Sequence, residues 1–238
     1  MHEKPDSKES NKALIITGIV IALFVIALFT NGFGLFSEKK SPNYIDASLI
    51  SIGESPVIGK EEAQLVIYEF SDFSCPYCAA AAGYNSQIIQ GFKNVDSKWE
   101  APVPKIISSY VKTGKVKFVY KYYPGHGEGV PAHLVGYALD EQDLFWEFHD
   151  KVFAQQGNAD DLEKMKDIAR DLGADMEKLE EFLNSNKGNF LLQSDIQMGQ
   201  KIKVSGTPTF IINGRLIAGA YSYADMKVII DEELAGLK

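Results

Sequence analysis

Hydrophobic positions along the chain follow more than one pattern, and each predicts a different element. The first is unbroken. "ALIITGIVIALFVIALFT", residues 13–30, carries no charge over 18 residues. With "NGFGLF" behind it, the run is long enough to cross a hydrocarbon core of roughly 30 Å. A helix buried in a globular domain usually keeps a polar face, and a cleaved signal peptide has a shorter apolar core and a small-residue cleavage site. "LFTNGFGLFS" has no convincing site of that kind. The pattern predicts an uncleaved anchor at 13–36, between a tail at 1–12 and a linker at 37–54 containing Pro42. Lys4, Lys8 and Lys12 precede the anchor, and Lys39 and Lys40 follow it. The balance leans slightly toward a cytoplasmic amino end.

Short runs of β-forming residues come next. "LVIYEF" (65–70) and the run inside "KVKFVYKYYP" (115–124) suit buried strands. "TFIIN" and "RLIAG" predict a hairpin closed at Asn213-Gly214, the preferred type I′ turn pair. Helical spacing supplies the rest. The stretch 78–92 favours helix apart from Gly83. Further helices are predicted over 133–153, 160–172, 175–184 and 189–203. Leu144, Phe145, Phe148, Val152 and Phe153 form one apolar stripe, either core or a substrate-binding surface. Ile168 and Leu172 repeat the spacing, and Gly173 stands where a C-cap glycine belongs. Ser222 opens a last helix, with Asp225 as capping partner and Met226, Ile229, Ile230 and Leu234 on one face.

Composition narrows the function classes. Of 238 residues, 45 % are hydrophobic and 24 % charged, as expected of a packed globular protein. The formal net charge is −8 and there is no basic tract, which argues against nucleic acid as a partner, because phosphate affinity comes largely from Lys and Arg. No repeat or low-complexity block is present.

The chain has two cysteines, Cys75 and Cys78, placed between the 65–70 strand and the 78–92 helix. Pro76 suits a first helical turn because it has no N–H to leave unpaired. Cys75 therefore falls at a helix N-terminus, with Cys78 one turn in. The N-terminal N–H groups and the helix dipole stabilise an anion there, and the thiolate is the attacking species in disulfide exchange. Cys75 is expected to be the more exposed nucleophile of lower pKa, and Cys78 the resolving thiol. Other readings stand beside this one. A zinc site usually takes four ligands, and His126, His133 and His149 lack finger-like spacing; no metal is expected. A purely structural disulfide three residues apart would constrain the unfolded chain little. Inert buried thiols are the remaining possibility.

Strand–"CPYC"–helix and "GTPTFIING" together resemble the thioredoxin superfamily. "EFSDFSCPYC", "FVYKYYP", "LFWEFHDKVF" and "GTPTFIING" resemble, in order, the blocks of the DsbA family. The resemblance covers about residues 55–236. It implies an α/β thioredoxin-like domain over 55–238, with a helical insertion at about 128–187. It also implies a cis Thr207–Pro208 bond beside the cysteines, with Thr207 facing Cys75, and a protein-disulfide oxidoreductase activity without a bound cofactor. Glu69 occupies the place of a buried acid in that family, able to exchange a proton with the resolving thiol; the alternative is a strand glutamate facing water. Pro76 and Tyr77 replace the histidine-containing pair of the strongly oxidising member and also resemble glutaredoxins. The direction of reaction, oxidase or reductase/isomerase, therefore stays open, as do a non-catalytic peptide-binding module and a glutathione-linked enzyme. The leading reading is a single-pass protein of the cell membrane whose domain lies outside the cytoplasm and acts on exported cysteine-containing polypeptides. The family implies re-oxidation by a membrane partner of the DsbB or vitamin-K-epoxide-reductase type.

Overall fold

The computed structural model describes residues 43–125, 129–155 and 157–237. The expected tail and anchor lie outside them. Among the described residues no helix is long and apolar enough to cross a membrane.

Among the described residues a 3-10 turn at Ala47–Leu49 precedes β1 (Val57–Ile58) and β2 (Leu65–Ser71), then α1 (Pro76–Ala81) and α2 (Ser86–Val95). The chain continues through α3 (Pro102–Ile106), a π-helical turn at Ile107–Val111, and β3 (Val116–Tyr122). Five helices follow: α4 (Val130–Asp140), α5 (Phe145–Ala154), α6 (Leu162–Asp171), α7 (Met176–Asn184) and α8 (Lys187–Lys201). Then come β4 (Thr209–Ile212), β5 (Arg215–Ala218) and α9 (Tyr223–Gly236). The sheet order is β1-β3-β2-β4-β5, with β2 and β3 parallel and the other neighbours antiparallel. This is a thioredoxin-like α/β fold, with α4–α7 inserted between β3 and α8.

Strand alternation and register decide what faces what. Side chains two apart on a strand share a face. Leu65, Ile67, Glu69 and Ser71 of β2 stand opposite Val116, Phe118, Tyr120 and Tyr122 of β3, while Phe210 and Ile212 of β4 flank Glu69 and Ile67. The apolar members pack under α3 and α9. On the other face Phe70 and Ile211 pack with Ile202 and Val204, just beyond α8. Phe145, Phe148, Val152 and Phe153 are buried in one cluster with Phe73 and both cysteines, so the predicted stripe is core.

The structure alters several element boundaries. The 78–92 stretch forms two helices, because Gly83 takes φ +92° and Asn85 caps α2 by accepting from Ile88 N at 3.0 Å. The 133–153 stretch divides at Asp143, φ +58°, which lets α5 fold back on α4. Asp161 caps α6, and Lys187 rather than residue 189 opens α8. The predicted hairpin is present, with Asn213 and Gly214 both at positive φ. Ser222 caps α9 by accepting from Asp225 N at 3.2 Å. Part of the expected linker, from 43 to 54, is mostly exposed but tied to the sheet edge, with Ile45 and Ile50 half-buried against the Phe70 cluster. Ile45 N donates to Gly214 O and Leu216 N to Asn43 O, so the segment borrows backbone partners from β5 and its turn.

One buried ion pair was not foreseen. Lys121 Nζ lies 3.0 Å from Asp195 Oδ1, and both side chains are inaccessible. The ammonium also donates to Ile52 O and Ser55 Oγ, while Asp195 Oδ2 accepts from Tyr122 N and Tyr137 OH. The cluster ties β3, α4, α8 and the 50–55 segment together. A buried charge persists when paired and fully hydrogen-bonded, and this pair meets both conditions.

Candidate active site

The turn after β2 is built by Asp72, whose residue is fully buried. Its backbone carbonyl accepts from Cys75 N at 2.9 Å. Its carboxylate accepts from Ser74 N and, across the gap, from Gly125 N in the loop after β3, each at 2.8 Å. Cys75 is thereby held as the N-cap of α1, in extended conformation, with Pro76 at the first helical position. Tyr77 is 39 % exposed beside this terminus. Cys78 sits one turn in, fully buried.

Thr207 and Pro208 arrive from the far end of the sequence, where the chain enters β4. Their peptide bond is cis, and the Cys75 thiol donates to Thr207 O at 3.4 Å. Gly125 makes room for this approach. A Cβ there would stand 1.9 Å from Thr207 Oγ1. The cysteines are not joined to one another.

Cys75 is not the exposed group expected from its helix position. Its relative accessibility is 0 %, the same as that of Cys78. The sulfur is enclosed by the cluster around Phe73 and by contact with Thr207, 132 residues away in sequence, and local spacing carries no sign of that enclosure. The two sulfurs still differ electrostatically. A hydrogen bond from Cys78 draws the Cys75 pKa down to about 5, helped by the Thr207 side chain and the N–H groups of Cys78 and Tyr77 against the cost of burial. Burial pushes Cys78 well above the ordinary thiol value, and the charges of Cys75 and Glu69 push it the same way.

Glu69 lies on the central strand and is 1 % exposed, so the water-facing alternative does not apply. Burial raises its pKa to about 8; the Ser71 hydroxyl pulls it down, and a charge on Cys75 pushes it up. His133 is buried, held by Tyr120 OH at 3.0 Å and Gly129 O at 2.7 Å, and burial depresses its pKa to about 3. It is a neutral, satisfied core side chain. The site thus offers a stabilised thiolate, a protonated second thiol and a carboxyl that titrates near neutrality.

Sequence reasoning missed Asp72, Gly125 and Ser71. The alternation of β2 carried a signal for Ser71, which follows Glu69 by two residues. Asp72 and Gly125 carried none, since their roles need the two loops to meet. Among the described residues, no cluster of three or more His, Cys, Asp or Glu is arranged to hold a metal.

A sequence profile of the family described as "Thioredoxin" matches residues 51–92 and 97–232. Disulfide bond formation protein D of Bacillus subtilis is 31 % identical over 196 residues, spanning 78 % of this chain and 80 % of that one. The crystal structure of oxidised BdbD from Bacillus subtilis superposes with a TM-score of 0.62 at 29 % identity, over 78 % of this chain and 95 % of that one. Wolbachia pipientis alpha-DsbA1 gives 0.64 at 18 % identity over 80 % of this chain and 96 % of that one, a likeness of fold.

Proposed function

The chain belongs to the thioredoxin-like protein-disulfide oxidoreductases of the DsbA type, and from that membership we propose that it introduces disulfides into exported proteins through a Cys75–Cys78 couple. In the oxidised enzyme a substrate thiolate attacks Cys75 Sγ, and the Cys75–Cys78 bond breaks with Cys78 as leaving group. Cys78 holds a proton strongly, so its thiolate takes one, and Glu69 supplies it. A second substrate thiolate then attacks the substrate sulfur of the mixed disulfide and expels the Cys75 thiolate. The substrate loses two electrons and the couple gains them. Thr207 offers backbone to an extended substrate chain beside the sulfur, Pro208 keeps that segment clear of a competing N–H, and Pro76 and Tyr77 shape the rim. A quinone-linked membrane partner of the DsbB or vitamin-K-epoxide-reductase type accepts the electrons and restores the disulfide. The 13–36 segment anchors the domain to the outer face of the cell membrane.

The observation that carries this reading is the opposed pair of thiols, Cys75 at about 5 and Cys78 far above its ordinary value. Stabilising the thiolate stabilises the reduced form, so the disulfide becomes the better oxidant. This favours oxidation over reduction. Cys78→Ser should trap substrates as mixed disulfides on Cys75, and alkylation of the reduced protein should label Cys75 first, with a pH midpoint near 5. First labelling of Cys78 would reverse the roles. A couple potential nearer about −270 mV than about −120 mV would turn the direction to reductase.

A further inference from the structure

Ser71 is the last residue of β2 and is fully buried. It shares a strand face with Glu69, the face on which Cys75 and Cys78 pack together with Tyr120 and Tyr122. Among the described residues, neither Ser71 Oγ nor Glu69 Oε2 makes a hydrogen bond. Two buried, unpartnered polar atoms on one strand face are uncommon, since most buried polar groups find a partner. Ser71 and Glu69 stand opposite Tyr122 and Tyr120, which pack with Cys78, and hydrogen bonding by the Ser71 hydroxyl lowers the pKa of both Glu69 and Cys78. A serine hydroxyl turns between staggered χ1 wells, so one side chain can address two neighbours in turn.

We propose that Ser71 is the proton relay between Cys78 and Glu69. A hydroxyl both donates and accepts, which neither a thiol facing a carboxyl across a gap nor an apolar side chain can replace. When Cys78 leaves as thiolate, Ser71 gives it a proton and takes one from the Glu69 carboxylic acid, ending as a neutral hydroxyl beside a Glu69 carboxylate. When Cys78 attacks a mixed disulfide, its thiol proton passes to Ser71 as the serine proton passes to the Glu69 carboxylate. No atom is gained or lost, and no other acid or base is required. Two titratable groups packed around the path do not compete. Tyr120 on β3 is held neutral by burial, His133 on α4 is neutral, and β4 contributes Phe210 opposite Glu69. Cys75 carries the charge to which the relay responds, and the Asp72 carboxylate is engaged by Ser74 N and Gly125 N.

The relay rests on the proposed Cys75–Cys78 chemistry, and its test separates the two. In the full chain, a mixed disulfide is formed between Cys75 and a small cysteine peptide, and its resolution by Cys78 is followed over pH 5 to 9. Ser71→Ala should slow resolution about tenfold while leaving Cys75 alkylation by iodoacetamide unchanged. Ser71→Thr, which keeps the hydroxyl, should restore most of the rate. In a Glu69→Gln background Ser71→Ala should add little, because the path is already cut. Carboxyl titration by NMR gives a readout that does not depend on turnover: the Glu69 midpoint should rise in Ser71→Ala and stay near that of the parent in Ser71→Thr. Resolution at the parent rate in Ser71→Ala, equal slowing in both backgrounds, or an unmoved Glu69 midpoint would each overturn the relay. Failure of Cys78→Ser to trap any mixed disulfide would instead remove the exchange reading itself.

Discussion

Two buried polar clusters lie on opposite faces of the same sheet, on neighbouring strands, and they are built on opposite rules. On one face Lys121 and Asp195 neutralise each other, and Ser55, Ile52, Tyr122 and Tyr137 take up the remaining donors and acceptors. On the other face Glu69 and Ser71 are equally buried, but their Oε2 and Oγ atoms remain without partners and the nearby thiols are driven apart in pKa. The first cluster is a rivet between the sheet and the inserted helices. The second holds groups away from their resting protonation behaviour. Low dielectric strengthens a satisfied network and penalises an unsatisfied one, so the same burial yields stability in one place and poised chemistry in the other.

Substitutions can break this contrast. The largest effect on activity should come from Cys75→Ser, which removes the attacked sulfur. Exchange with a reduced peptide should fall to background, with the thermal transition nearly unmoved. Retained turnover would place the chemistry elsewhere. In the rivet, Asp195→Ala should leave Lys121 charged and unpaired, at a cost of about 3–5 kcal/mol in denaturant unfolding. The reduced Cys75 should still alkylate under conditions where the variant remains folded. If Asp195→Ala changed the alkylation midpoint instead of stability, the division between the faces would fail.

Glu69→Gln should do the reverse. The Glu69 carboxyl titrates near pH 8 in the folded protein and near the ordinary glutamate value, about 4.3, when unfolded. Between those values the folded state holds the extra proton, so stability is complete below the lower value. It declines as pH rises toward 8, by up to about 1.4 kcal/mol per unit. Glutamine abolishes that slope. The variant should therefore gain on the parent as pH rises from 5 to 8, while exchange becomes slower. Equal pH dependence of stability in the two proteins would return Glu69 to an ordinary role. The smallest effect belongs to Tyr137→Phe. It deletes one of several hydrogen bonds to Asp195 and should cost about 1 kcal/mol, without altering exchange.

Much of this protein is legible along the chain because the signals are local. The runs of β2 and β3, the Asn213-Gly214 turn and the Ser222 cap depend on side-chain period, left-handed backbone tolerance and one capping hydroxyl. The helix start at Cys75 is equally local, since Pro76 marks a first turn wherever it stands. Local signals fixed existence better than extent. Asp143, at φ +58°, splits a stretch whose apolar spacing continues across it, because α5 gains more by folding back onto α4 than by extending it.

The sequence by itself determined a pair of cysteines at a helix N-terminus, a strand glutamate six residues earlier and a Thr-Pro before a hairpin. These follow from residue type and spacing within one element. Only the tertiary structure decided that Cys75 is fully buried, that Gly125 must lack a side chain and that Asp72 joins two loops. It also decided that Lys121 meets Asp195 and that Ser71 is buried on the sheet face that carries Glu69. The physical reason is common to all of these. Desolvation and proton affinity depend on what approaches from other elements, and that approach is set by how the sheet and helices pack.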